Sequence, residues 1–237
     1  MTSQTRRMLE RLLIAVVFSI AFGYIESAVV VYLRALFHPN GFTFPMEVFD
    51  ATPEARRLML TEIGREAATL VLIVTAGWLF GSLLRERIAY SLIIFAVWDI
   101  FYYVWLRVLL GWPATLLDWD ILFLIPLVWA APVLYPVLVS LVMFAFGAAI
   151  LYRCAHGRPL TIARTDGLLW LAAALIIVVS FCLGGTHITE PTYADYFHWP
   201  LFAAGLALGM GVCLKALRAP PQVPASAARP SPQDGRS

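Results

Sequence analysis

Apolar residues along this chain come in six long runs, near 12–36, 67–84, 88–110, 121–152, 167–186 and 198–214. Each is close to or longer than the roughly 20 apolar helical residues needed to cross a hydrocarbon core about 30 Å thick. The pattern predicts an all-α fold: a polytopic transmembrane helical bundle of about six spans forming one domain, 1–218. Before the second run, "TPEARRLMLTEIGREAATL" offers Thr52 as an N-cap, Pro53 at the first helical position and Glu54 behind it. That predicts an amphipathic helix near 53–66, lying at the interface and leading into span two.

The fourth run departs from the pattern. Residues 121–152 contain no Asp, Glu, Lys or Arg, and Pro126, Pro132 and Pro136 cluster in the first half. Each proline removes a backbone donor and clashes with the preceding turn. A broken or re-entrant piece is therefore expected near 121–132, followed by a true span from about 133. The competing reading is one long, tilted, proline-kinked helix. Irregular backbone at membrane depth survives only where protein or a water-filled cavity covers it, so the piece is expected to line something.

Composition narrows the class. Of 237 residues, 61% are hydrophobic and 14% charged, against about 25% charged in soluble domains. The formal charge of +2 is small and dispersed, which gives no footing for nucleic acid. The N-terminus starts like a signal peptide, but its apolar run is too long and lacks an A-x-A site, so it is expected to remain as the first span. Cys154, Cys182 and Cys213 lie far apart without C-x-x-C spacing and read as ordinary membrane thiols. Lys and Arg collect on one side: with an inside N-terminus, twelve of the 17 fall there, and only Arg34, Arg56, Arg57, Arg65 and Arg107 fall opposite. Retention of positive charge in the cytoplasm then predicts a cell (inner or plasma) membrane protein with both termini cytoplasmic. From 219 to 237, "APPQVPASAARPSPQDGRS" is too poor in large apolar residues to bury a core and predicts a disordered cytoplasmic tail.

Charges inside the spans are the candidate chemistry. Spans one and three align at an offset of 73, with Phe22, Val31, Leu33, Arg34 and Leu36 matched and Glu26 falling on Asp99. Both carry an acid followed eight residues later by an arginine, Arg34 or Arg107, about 12 Å along the axis. Pairing within a helix is ruled out by that separation, so both arginines are expected to snorkel to the outer interface beside Tyr32, Trp105 and Trp112. There they could anchor an anionic head group. Glu26 and Asp99 are left at similar depth, where an embedded acid is by default a site residue.

The outer loops add Asp118 and Asp120 after span three and His187, Glu190 and His198 between spans five and six. Should these converge, imidazole and carboxylate ligands would suit a divalent metal such as Zn, Fe or Mn. No catalytic residue follows from any motif. The stretches "WDIFYYVWLRVLLGWP" and "WDILFLIP" resemble those of uncharacterised bacterial multi-pass membrane proteins, a resemblance that implies no activity. The expectation is an outward-facing polar cavity built from Glu26, Asp99 and the outer-loop His and Asp residues, in a subunit or assembly factor of a membrane complex; the alternatives are a small proton- or cation-coupled transporter and a membrane-embedded enzyme acting on a lipid-borne substrate. The expected partners are the lipid bilayer and either another membrane protein or a second copy of the chain.

Overall fold

The computed structural model describes residues 3–38, 41–47, 52–158, 160 and 163–219. The tail expected beyond Ala219 lies outside them. Six long helices dominate: α1 Ser3–Phe37, α2 Pro53–Phe80, α3 Leu84–Leu110, α4 Leu134–Ala155, α5 Arg164–Gly185 and α6 Trp199–Arg218. Strands β1 Trp119–Phe123 and β2 Trp129–Pro132 separate α3 from α4, and a 3-10 turn, Tyr193–Tyr196, precedes α6. All six helices are long and apolar enough to cross a membrane, and they expose many large apolar side chains. The chain is a multi-pass membrane protein.

Local chemistry sets the helix ends. The Thr52 hydroxyl accepts from Ala55 N at 3.2 Å, with Pro53 opening α2. The Glu86 carboxylate accepts from Ser82 N and Leu83 N, covering two donors ahead of α3. Gly111, left-handed at φ 68°, closes α3 by donating to Arg107 O.

Helix α3 is the hub, with α1, α2 and α4 packed along it. Each neighbour presents a glycine to it. A Cβ on Gly23 would lie 3.0 Å from Trp98 O, one on Gly147 2.8 Å from Ala89 O, and one on Gly77 would strike the Ser91 hydroxyl. Small residues let backbones approach where lipid supplies no hydrophobic drive between helices. Gly23 faces Trp98 and the Ser27 hydroxyl reaches Tyr102 O at 3.0 Å, so α1 and α3 run in the same direction. Helices α5 and α6 form a second unit, tied to the rest mainly through β2.

Of the two readings of the fourth apolar run, one fails. Residues 121–132 are the expected proline-broken piece and not one long kinked helix. They belong to an antiparallel hairpin pairing Trp119 with Pro132, Asp120 with Ala131, and Phe123 with Trp129. Pro126 lies in its connection and Pro132 at its end, where no ladder donor is lost, while strand pairing satisfies the backbone inside the fold. Gly184 and Gly185 of α5 back directly onto the hairpin: added Cβ atoms would collide with the carbonyls of Ala130 and Val128. The span expected from about 133 is α4, and Pro136 is tolerated because it stands in the first turn. Residues 53–66 are helical and run into the second span, as expected, forming one unbroken helix α2, so their register is tied to the membrane-crossing half. The three cysteines are free thiols.

Gly147→Leu is expected to lower stability by about 1–3 kcal/mol through overpacking against α3. Gly211→Leu, where an added Cβ meets nothing within 4 Å, is the control. Thermal unfolding in detergent compares them.

Candidate functional site

Among the described residues α1 and α2 make no extended contact with each other, although both lie along α3. The gap between them is a cavity of about 620 Å3 with α3 and β1 also lining it. Its rim includes the exposed apolar side chains of Phe37, Leu58 and Met59. Its wall carries five carboxylates, Glu26, Glu62, Glu66, Asp99 and Asp120, and three guanidiniums, Arg34, Arg56 and Arg65.

The charges form a connected set. Arg34 Nη2 donates to Asp120 Oδ1 at 3.1 Å, both side chains being buried, and the Tyr102 hydroxyl donates to Asp120 Oδ2 at 3.3 Å. The Arg34 guanidinium also sits over Phe42 and Trp112, 3.9 and 3.8 Å from the ring centroids. Arg65 pairs with Glu26 and, through Nε at 2.7 Å, with Glu62. Thr69 Oγ1 donates to Glu26 Oε2 at 3.3 Å, so Glu26 bridges α1 to α2 across the cleft.

Two carboxylates differ from the rest. Glu66 accepts from Leu124 N at 2.9 Å, pinning α2 to the hairpin, and Asp99 accepts from the Ser140 hydroxyl at 2.8 Å. These donors are neutral. Near the rim, burial and then the adjacent positive charge of Arg34 hold the His38 imidazole below its ordinary value, with Glu47 pulling it back.

The structure brings Glu26, Asp99, Arg34 and Asp120 to one cavity. Arg34 does not snorkel as expected: the hairpin folds back and supplies a counter-charge the helix lacks. Arg107 does stay at its helix end, donating to the carbonyls of Gly111 and Pro113, and it does not line the cavity. The remaining candidates are dispersed. Asp118 accepts from Thr115 Oγ1 and Ala114 N at 2.7 Å each; burial pushes its carboxyl up, but these bonds prevail and hold it below its ordinary value. His198 caps α6 by accepting from Leu201 N. His187 Nδ1 meets Glu190 Oε1 at 2.7 Å and stacks on Tyr196 with centroids 3.7 Å apart. Among the described residues no three His, Cys, Asp or Glu side chains are grouped to hold a metal, so the proposed ligands do not share a centre.

Glu62, Arg65, Glu66 and Thr69 were not singled out by sequence. Their signal was present as i, i+3, i+4, i+7 spacing, one face of a helix. The expectation of an interfacial helix turned that face toward head groups instead of α1 and α3. No family model, curated protein or solved structure matches the chain. Fold and site thus define a class, a six-helix membrane protein with a charged cleft between α1 and α2.

Asp120→Ala leaves Arg34 buried without its counter-charge and is expected to cost about 3–5 kcal/mol. Arg34→Met with Asp120→Leu should recover most of that loss, since a packed apolar pair avoids desolvating two ions. Unfolding midpoints of the two variants and of the unaltered protein check this. At Glu190, the His187 hydrogen bond holds the carboxyl below its ordinary value. Its contribution is present above the unfolded pKa and lost as pH falls through the depressed folded one. Glu190→Gln should therefore lower the melting temperature slightly near pH 7, with the difference vanishing in acid.

Proposed function

We propose that the chain binds an amphiphile: a lipid-borne substrate whose polar head enters the α1–α2 cleft sideways from the bilayer. One observation carries this reading. Two helices that share a support but are joined to each other only by side-chain bonds such as Glu26 to Arg65 leave a gap with apolar residues at its rim and paired charges within. Such a gap suits a molecule that is apolar at one end and ionic at the other. The subunit or assembly-factor reading rests on buried polar residues joining helices and on the aromatic run of span three, and neither accounts for an apolar rim around the charges.

The charge ledger favours a head group bearing an ammonium. Five carboxylates face three guanidiniums across the wall, and Glu66 and Asp99 have only neutral donors. An amine would supply a counter-charge to Asp99 and add to that of Arg65 on Glu66, and a phosphate beside it would find Arg56 near the rim. The Lys and Arg distribution adds that both termini are cytoplasmic in a cell membrane, which turns the cleft toward the outer leaflet.

Binding of chain-labelled phosphatidylethanolamine to the purified protein tests the reading. Glu66→Gln and Asp99→Asn should each weaken it about tenfold or more, as loss of a charge-assisted hydrogen bond removes about 1.5–3 kcal/mol. Unchanged affinity in both folded variants overturns the proposal.

A second reading, a proton- or cation-coupled carrier, draws on the same two carboxylates, whose hydrogen-bond donors are neutral and which could take up a cation. It requires solute uptake into proteoliposomes driven by a pH or cation gradient and abolished by Asp99→Asn.

A further inference from the structure

Beyond β1 from the charged cleft lies a second cavity of about 510 Å3, between α3 and α4 on one side and α5 and α6 on the other. Its walls are almost wholly apolar, and Asp99 is the one charged residue among them. Among the described residues α4 and α5 make no extended contact, which leaves the chamber elongated along the helices. Its lining on α4 runs from Pro136 to Phe146, ~15 Å of helix. That shape suits a long flexible chain better than a compact solute.

The two cavities share Asp99, Leu122 and Phe123, so a single layer of side chains divides them. Phe123 stands between Trp98 and Trp129, with ring centroids 6.3 and 5.3 Å away. Trp98 lines the charged cleft and Trp129 the apolar chamber. Both indole N–H groups are buried without an acceptor among the described residues. A buried donor is costly to leave unpaired. Two unmet donors within the partition leave it less firmly bonded than the walls around it.

Resting on the headgroup reading of the α1–α2 cleft, we propose that both cavities form one bipartite lipid site. The head lies in the charged cleft, and one hydrocarbon chain passes Phe123 into the apolar chamber. Admitting the chain shifts the side chains of this layer, and ester or amide oxygens at the head–chain linkage then accept from the indoles of Trp98 and Trp129 that the shift uncovers. The occupant is a lipid chain because the surrounding medium is hydrocarbon and, apart from Asp99, the walls offer almost nothing to hold water.

The experiment uses the full-length protein in nanodiscs containing phosphatidylethanolamine with a diazirine near the end of one acyl chain, photolysed and mapped by mass spectrometry. Label is expected on Met143, Trp170 and Leu206, all in the chamber wall. It should fall about tenfold in Gly209→Phe, which fills the chamber from a position where the nearest atom to an added Cβ is 3.7 Å away. Val142→Phe serves as a second filling variant should the first not fold. Label confined to the exposed Leu168, Leu175 and Leu214, or unchanged in a folded filling variant, overturns the chain site. If Glu66→Gln still weakens binding in that case, the headgroup reading stands alone. Chamber label that Gly209→Phe removes while Glu66→Gln leaves binding untouched overturns the bipartite coupling instead.

Discussion

Close backbone approach to α3 is the constraint on which this structure rests. In a bilayer the alternative to a helix neighbour is lipid as apolar as leucine, so association depends on contact quality and on polar bonds between helices. Gly23, Gly77 and Gly147 bring three helices against one strut. Because α1 and α2 each spend their small-residue face on α3, neither has such a face for the other. The cleft between them follows from how the packing surface is distributed.

A cleft among membrane helices that contains ionisable groups must compensate their lost hydration. Isolated, each acid or arginine at mid-span would cost about 2.5–3.5 kcal/mol on insertion scales. The pairs Arg34 with Asp120 and Arg65 with Glu26 and Glu62 meet that cost locally. Aromatic faces beneath Arg34 and a tyrosine hydroxyl on Asp120 complete the coordination of the deepest pair. Buried ion pairs of this kind contribute little net stability and fix geometry where they occur. Here they fasten the hairpin to α1 and α2 to α1, which defines the walls of both cavities.

The hairpin is the element that turns a helical bundle into a site. It separates the charged cleft from the apolar chamber, supplies Asp120, and offers Leu124 N to Glu66. Its backbone is tolerated at this position because β1 and β2 satisfy each other and α5 covers β2 with two glycines. The α5–α6 unit is thereby coupled to the rest through backbone contact, leaving open the apolar space that side-chain packing would otherwise fill.

Hydropathy alone determined the class and the six spans, since crossing hydrocarbon leaves a chain few options besides long apolar helices. It also determined that Glu26 and Asp99 needed company, because an embedded acid is expensive wherever it lies. Proline placement marked the segment near 121–132 as irregular without saying that it pairs with itself. Partners were decided only by tertiary structure. Glu26 meets Arg65 across 39 positions and Arg34 meets Asp120 across 86, separations over which no periodicity runs. The metal ligands expected among the loops scatter for the same reason: shared residue type and a shared side of the membrane do not fix distance. Helix register and the fold of one hairpin do, and both are set by which backbones can approach closely enough to touch.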